Sequence, residues 1–169
     1  MSQKRAILLL LLMATFIGAF FAWSVTIQDT KQKVKNEQLS LKISRFTSMD
    51  SSALLFPENQ FIVLVYFNSE CILCQNEALE IQRSLHLISN TRILMVSSEP
   101  IETIRAFSVQ HVLQNEPSVM FAKINTEVVF DTFGSVSIPH IFIYDKEHKL
   151  IKEFKGETKM EAILQYLPK

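Results

Sequence analysis

Net charge is absent from this chain, which sets 17 basic residues against 17 acidic ones. That balance recommends neither a nucleic acid nor an acidic polymer as partner. Charge is also missing from one continuous stretch: after Lys4 and Arg5 no charged side chain appears until Asp29, and Ala6 to Val25 is almost wholly apolar. Cysteine is scarce, with Cys71 and Cys74 the only two. Neither lies close behind the apolar run, which excludes a lipid-modified cysteine as an anchor. The polar, lysine-rich segment from Asp29 to about Leu41 contains no glycine or proline, so it reads as a partly helical tether.

The apolar run itself is long enough to matter. As a helix rising about 1.5 Å per residue, it reaches roughly 30 Å, the thickness of a bilayer's hydrocarbon core. Trp23 falls where an interfacial aromatic belongs. The expectation is a single transmembrane anchor over residues 6–25, with residues 1–5 in the cytoplasm, a polar tether over 26–44 and one folded domain over 45–169. A cleaved signal peptide is the competing reading, because Ala22-Trp23-Ser24 offers small residues at the required spacing, although the run exceeds a usual h-region. Either way the domain is expected to be exported. Lys31, Lys33 and Lys35 on the far side weaken the positive-inside bias of Lys4 and Arg5.

Beyond the tether the pattern alternates in type. Phe61 to Phe67, FIVLVYF, is an unbroken β-branched and aromatic run of strand length, as expected of a central strand covered on both faces. Cys74, Ala78, Ile81, Leu85 and Ile88 follow at helical spacing. Arg92 to Val96 reads as a second buried strand. A helix containing Ile104, Phe107 and Val109 follows, with Pro100 in its first-turn region. Val119 to Ile124 is a strand, and Thr126 to Phe133 a short helix ended by Gly134. Ile141 to Tyr144 and Leu150 to Phe154 form a hairpin, and Thr158 to Leu167 a closing helix. The order β-α-β-α-β-α-β-β-α, after a lead-in around Arg45 to Phe56, predicts an α/β fold whose central mixed sheet carries helices on both faces.

The two cysteines lie directly after the strongest strand, in FNSECILCQNEALEIQ. A cysteine at a helix N-terminus meets unsatisfied backbone N–H groups and the positive end of the macrodipole, which favour thiolate over thiol. Cys71 occupies that place. Cys74, one turn later on the same side, is placed to attack a mixed disulfide and release its product. Half of a zinc site is the alternative, but His86, His111, His140 and His148 stand at no recognisable ligand spacing. An inert disulfide closing so short a loop would constrain little of the unfolded chain. No metal or cofactor is expected.

These segments, with FGSVSIPHIFIYD and the hairpin ending EFKGE, resemble the thioredoxin-like superfamily, and within it the membrane-anchored TlpA/ResA-like, or redoxin, branch. The resemblance covers roughly Phe46 to Leu167. It implies a thioredoxin-like fold and a thiol-disulfide oxidoreductase acting on exported proteins that carry disulfides, supplied by a membrane or periplasmic thiol electron donor. It implies a single-pass protein of the cytoplasmic (inner) membrane with its catalytic domain on the periplasmic side. Pro139 matches the family's cis-proline, which faces the cysteine pair and, with the backbone of Ile138, receives the substrate segment. Glu77, three residues after Cys74, matches an acidic residue of ResA-like proteins that could shuttle the proton of Cys74; an ordinary exposed helix glutamate is the alternative.

The sequence also departs from that pattern. Glu70 stands where many members have tryptophan, and a carboxylate there opposes thiolate formation at Cys71. Ile72-Leu73 lacks the usual proline or histidine, and Val65 stands where a buried acid would be. With no such thiolate helper, the reading leans towards reductase rather than oxidant. A peroxiredoxin-type peroxidase is weakened by Asn68 and Leu64, where peroxidases carry threonine or serine and proline. A copper-handling protein would draw on both thiolates and His140. His86, His111 and His148 read as surface or cap residues; His140, next to Pro139, is the one histidine that could touch the site, unless strand alternation turns it away.

Overall fold

Side chains on a strand alternate between its two faces, so the unbroken apolar run from Phe61 must be covered on both. The computed structural model describes residues 13, 16–24, 26, 45–50, 54, 59–134 and 137–168. The chain divides into two units, within Met1–Gln38 and Leu39–Lys169. The second contains β1 (Phe46–Ser48), β2 (Phe61–Tyr66), α1 (Ile72–Ser84) with a 3₁₀ turn (Leu85–Leu87), β3 (Thr91–Ser97) and α2 (Ile101–Gln110). It continues with β4 (Val119–Ile124), α3 (Thr126–Phe133), β5 (His140–Tyr144), β6 (Leu150–Lys155) and α4 (Met160–Leu164).

The six strands form one mixed sheet in the order β1-β4-β3-β2-β5-β6. β2, β3 and β4 run parallel, whereas β1 on β4, β5 on β2 and β6 on β5 are antiparallel. Central β2 sends Val63 and Val65, with Phe67 just beyond it, to one side, where Cys74, Ala78 and Ile81 of α1, Ile104 and Phe107 of α2, and Met160 and Ile163 of α4 close a core. Ile62, Leu64 and Tyr66 go to the other side and pack with Val129 and Phe133 of α3. The expected α/β mixed sheet with helices on both faces is therefore present. Each fully buried Val or Leu on β2 contributes roughly 1.5–3 kcal/mol.

Three local expectations need correction. The last helix begins at Met160 rather than Thr158, because Lys159 is extended, at φ −61° and ψ 138°, and takes the N-cap position. It ends at Leu164, where the Tyr166 N–H bonds to the Ile163 carbonyl and the Leu167 N–H to the Leu164 carbonyl in tighter turns. On α2, Ile104 and Phe107 face the core, but Val109 is 50% exposed and the buried neighbours are Ser108 and Leu113. A period of 3.6 from Ile104 and Phe107 brings the helix back to its core side at 108 and 111, not 109.

In the N-terminal unit, Phe16–Ser24 are helical, and the Ser24 and Thr26 hydroxyls donate to the carbonyls of Phe21 and Ala22. Among the described residues no helix is long and apolar enough to cross a membrane. Most of the expected anchor before Phe16 and nearly all of the expected tether lie outside the described residues.

Candidate active site

The site begins where β2 leaves the sheet. Phe67 is buried against the rings of Phe107 and Phe121, and its N–H donates to the Val96 carbonyl, which anchors the link into α1. The Asn68 side chain accepts the Glu70 N–H at 3.0 Å, and the Asn68 carbonyl accepts the Cys71 N–H at 3.2 Å, turning the chain. Cys71 then takes the N-cap position of α1 in an extended conformation, and its carbonyl accepts the N–H groups of Cys74 and Gln75, both at 3.0 Å.

Both thiols are free, and they are unequal. Cys71 is half-buried, whereas Cys74 is 1% exposed in the core beneath α1. Burial is the main influence on Cys74 and pushes its thiol far above the ordinary range; a hydrogen bond with the Asn68 backbone opposes this, while the Cys71 side chain and the Glu77 carboxylate add to it. The Ile138–Pro139 peptide bond is cis, as the resemblance implied, and the Cys71 thiol points at the Ile138 carbonyl, with Sγ 3.8 Å from the oxygen. Beyond the bend, the Pro139 carbonyl accepts the Gly156 N–H at 2.8 Å, which ties this segment to the end of β6. The structure thus brings Cys71, Cys74, Ile138 and Pro139 together across the end of the sheet.

Glu77 is not the exposed helix glutamate of the alternative reading. It is wholly buried, its Oε2 accepts the Thr158 N–H at 2.9 Å, and its Oε1 has no hydrogen-bond partner among the described residues. Burial raises its pKa to about 7, the Thr158 N–H pulls the other way, and Glu157 and Glu80 add to the rise. The signal was present in the chain: residue 77 falls on the same apolar stripe as Cys74, Ala78 and Ile81.

The histidines divide differently from the expectation. His140 opens β5 on the face opposite Cys74, with Phe142, and its Nε2 lies 2.7 Å from Glu153 Oε1. Strand alternation does turn it away, because Ile141, not His140, faces the cysteine side. His111 is no surface residue: it is 4% exposed, packs on Phe107 with ring centroids 4.3 Å apart, and burial holds its pKa below the usual histidine value. His86 is exposed in the 3₁₀ turn, as expected, whereas His148 is half-buried in the turn between β5 and β6, with its Nε2 out of contact with solvent.

One residue beside the site escaped the sequence reading. Glu99, just past β3, accepts from the Ser69 backbone N–H at 2.8 Å and from the Ser69 hydroxyl at 2.6 Å. No spacing rule links positions 30 residues apart on different elements.

No family model matches the sequence, and no curated protein matches it. Solved structures do resemble the fold. StoA from Bacillus subtilis aligns with a TM-score of 0.56 at 13% identity, over 71% of this chain and 92% of its own. A secreted Mycobacterium tuberculosis disulfide oxidoreductase, homologous to E. coli DsbE, aligns at 0.58 and 11% identity, over 72% and 93%. A peroxiredoxin-like protein from Aquifex aeolicus aligns at 0.58 and 12% identity, over 71% and 78%. The fold of this chain is therefore thioredoxin-like, with its two free cysteines, spaced by two residues, at the N-terminus of the helix that follows the central strand.

Proposed function

We propose that this chain is a thiol-disulfide oxidoreductase, acting through Cys71 and Cys74 on disulfides of exported proteins and working as a reductase. The observation that carries the reading is the arrangement of the sulfurs: a half-exposed Cys71 at the helix start, aimed at the Ile138 carbonyl, above a buried Cys74. In the reaction the Cys71 sulfur attacks a substrate disulfide, a mixed disulfide forms, and one substrate sulfur leaves as thiolate. Cys74 then gives up its proton and attacks the Cys71 sulfur. The second substrate sulfur leaves, and a Cys71–Cys74 disulfide remains. Two electrons have passed to the substrate, and a thiol donor must restore the dithiol.

Glu77 is the proton acceptor for Cys74 in this scheme. A carboxyl group with a pKa of about 7 exchanges protons readily near neutrality, and it acts electrostatically on the Cys74 thiol. The backbone of Ile138 and Pro139 receives the substrate segment beside the mixed disulfide.

The anchor and the outward location belong to the same proposal. They are supported by the uncharged run from Ala6 to Val25 and by the exposed apolar side chains Phe16, Ile17, Phe20 and Phe21 on its helical part. Membrane fractionation with protease added from the outer side tests this; full-length chain recovered in the cytoplasm would overturn it.

The chemical reading is tested by incubating the reduced protein with a disulfide-linked peptide and equilibrating the Cys71–Cys74 couple against thiol buffers. Stoichiometric reduction of the peptide, absent in Cys71→Ser, is the expected result. A potential near thioredoxin's, about −270 mV, marks a reductase, and one near −120 mV marks an oxidant and overturns the direction.

A further inference from the structure

Ser69 stands two residues before Cys71, and each of its polar groups is held. Its carbonyl accepts from Gln75 Nε2 at 2.9 Å, its N–H donates to Glu99 Oε2 at 2.8 Å, and its hydroxyl donates to Glu99 Oε1 at 2.6 Å. Glu99 is fixed in turn. The hydroxyl of fully buried Ser97 donates to Oε2 at 2.9 Å, and the Glu99 N–H donates back to Ser97 Oγ at 3.2 Å. Beside this pair, the hydroxyls of Tyr66 and Ser98 lie 3.2 Å apart.

These bonds differ in what they attach. The Asn68 bonds to Glu70 and Cys71 lie within the link between β2 and α1 and shape its turn. Gln75 belongs to α1 and moves with Cys71. After Phe67, the Glu99 carboxylate ties the polar groups of the link to the end of β3. Its two oxygens take two donors from one residue, and such a fork fixes orientation as well as distance.

We propose that Glu99 is a positioning residue for the Cys71 thiol: by clamping Ser69 to the end of β3 it holds the sulfur in line with the Ile138 carbonyl, where an extended peptide must lie. This rests on the dithiol reading above. Glu99 touches neither sulfur, so it acts through Ser69 on the direction of attack and leaves the sulfur's intrinsic reactivity alone. A small disulfide approaches Cys71 from many angles, whereas a peptide must meet Sγ and the Ile138–Pro139 backbone together.

The full-length reduced protein is assayed for kcat/KM on a disulfide-linked peptide and on bis(2-hydroxyethyl) disulfide. Glu99→Ala is expected to lose about tenfold or more on the peptide, as misplaced reacting groups do, with the small disulfide reduced at the wild-type rate. Glu99→Gln should recover most of the loss, because its amide oxygen still accepts the Ser69 N–H while the Ser69 hydroxyl turns to accept from the amide nitrogen. Ser69→Ala, which keeps the N–H bond, should fall between them and carries the test if Glu99→Ala does not fold. Unchanged peptide kinetics, or equal losses on both substrates, overturn the inference. Wild-type protein that reduces neither disulfide overturns the oxidoreductase reading itself.

Discussion

The carboxylate of Glu77 on α1 accepts the backbone N–H of Thr158 at 2.9 Å, 81 residues further along the chain, with no exposed surface of its own. This bond closes α1 onto the turn that leads into α4. It also places a titratable group under the dithiol, where the protein's response to pH can be read.

Stability should carry that group's signature. Burial raises the Glu77 pKa from 4.5 to about 7, so between those values the folded protein binds more protons than the unfolded chain. The contribution of Glu77 to stability should therefore be fully present below pH 4.5 and be lost as pH rises through about 7, in total by about 3 kcal/mol. Glu77→Gln should abolish that decline and exceed wild type in urea midpoint at pH 8. It should also slow the resolving step near neutrality. A variant whose stability and turnover follow the wild-type pH profiles would remove Glu77 from both roles.

The two sulfurs should behave asymmetrically. Cys71 is half-buried, while Cys74 is buried and its burial pushes the thiol pKa up. Cys74→Ser should attack a disulfide peptide and accumulate as a covalent adduct on non-reducing gels, since nothing remains to displace the product. Cys71→Ser should be inactive and trap little. Iodoacetamide should label Cys71 first. Equal trapping by both variants, or first labelling of Cys74, would reverse the assignment.

His140 lies on the face away from Cys74 and pairs with Glu153 at 2.7 Å. His140→Ala should destabilise the fold by about 2–4 kcal/mol through lost packing and a lost polar partner, while the alkylation rate of Cys71 stays unchanged. A Cu(I) titration of reduced protein should likewise show no difference between wild type and this variant. A change in either readout would bring His140 back to the dithiol.

Val112 follows α2 in the left-handed region, at φ 56°, and is 66% exposed. A β-branched side chain is strained there, and its exposure offers little packing in return. The turn is shaped by the Leu113 N–H bonding to the Ser108 carbonyl and the Val112 N–H to the Val109 carbonyl, and glycine usually fills the position that Val112 occupies here. Val112→Gly should raise stability by about 1 kcal/mol, read as a higher urea midpoint with unchanged activity. A lower midpoint would mean that the Val112 side chain contributes more than its exposure suggests.

Much of the architecture was legible because its signals are local. FIVLVYF alternates its side chains between two cores wherever it is placed, and the spacing of Cys74, Ala78 and Ile81 defines a buried helical stripe without reference to any partner. The helix start after the strand, and hence the unlike settings of Cys71 and Cys74, follow from neighbouring residues alone. What tertiary structure decided depends on which element lies opposite. The stripe admitted Glu77, but only the packing of distant segments around α1 buries its carboxylate and raises its pKa, with the Thr158 N–H bond opposing that rise. His140 and Ile141 differ by one position, and the pairing of β5 against β2 assigns them to opposite cores. The clamp of Ser69 by Glu99 joins residues 30 apart through the parallel register of β2 and β3. Periodicity specifies the face a residue occupies; the electrostatic environment of that face comes from chain segments distant in sequence, and is set when they pack.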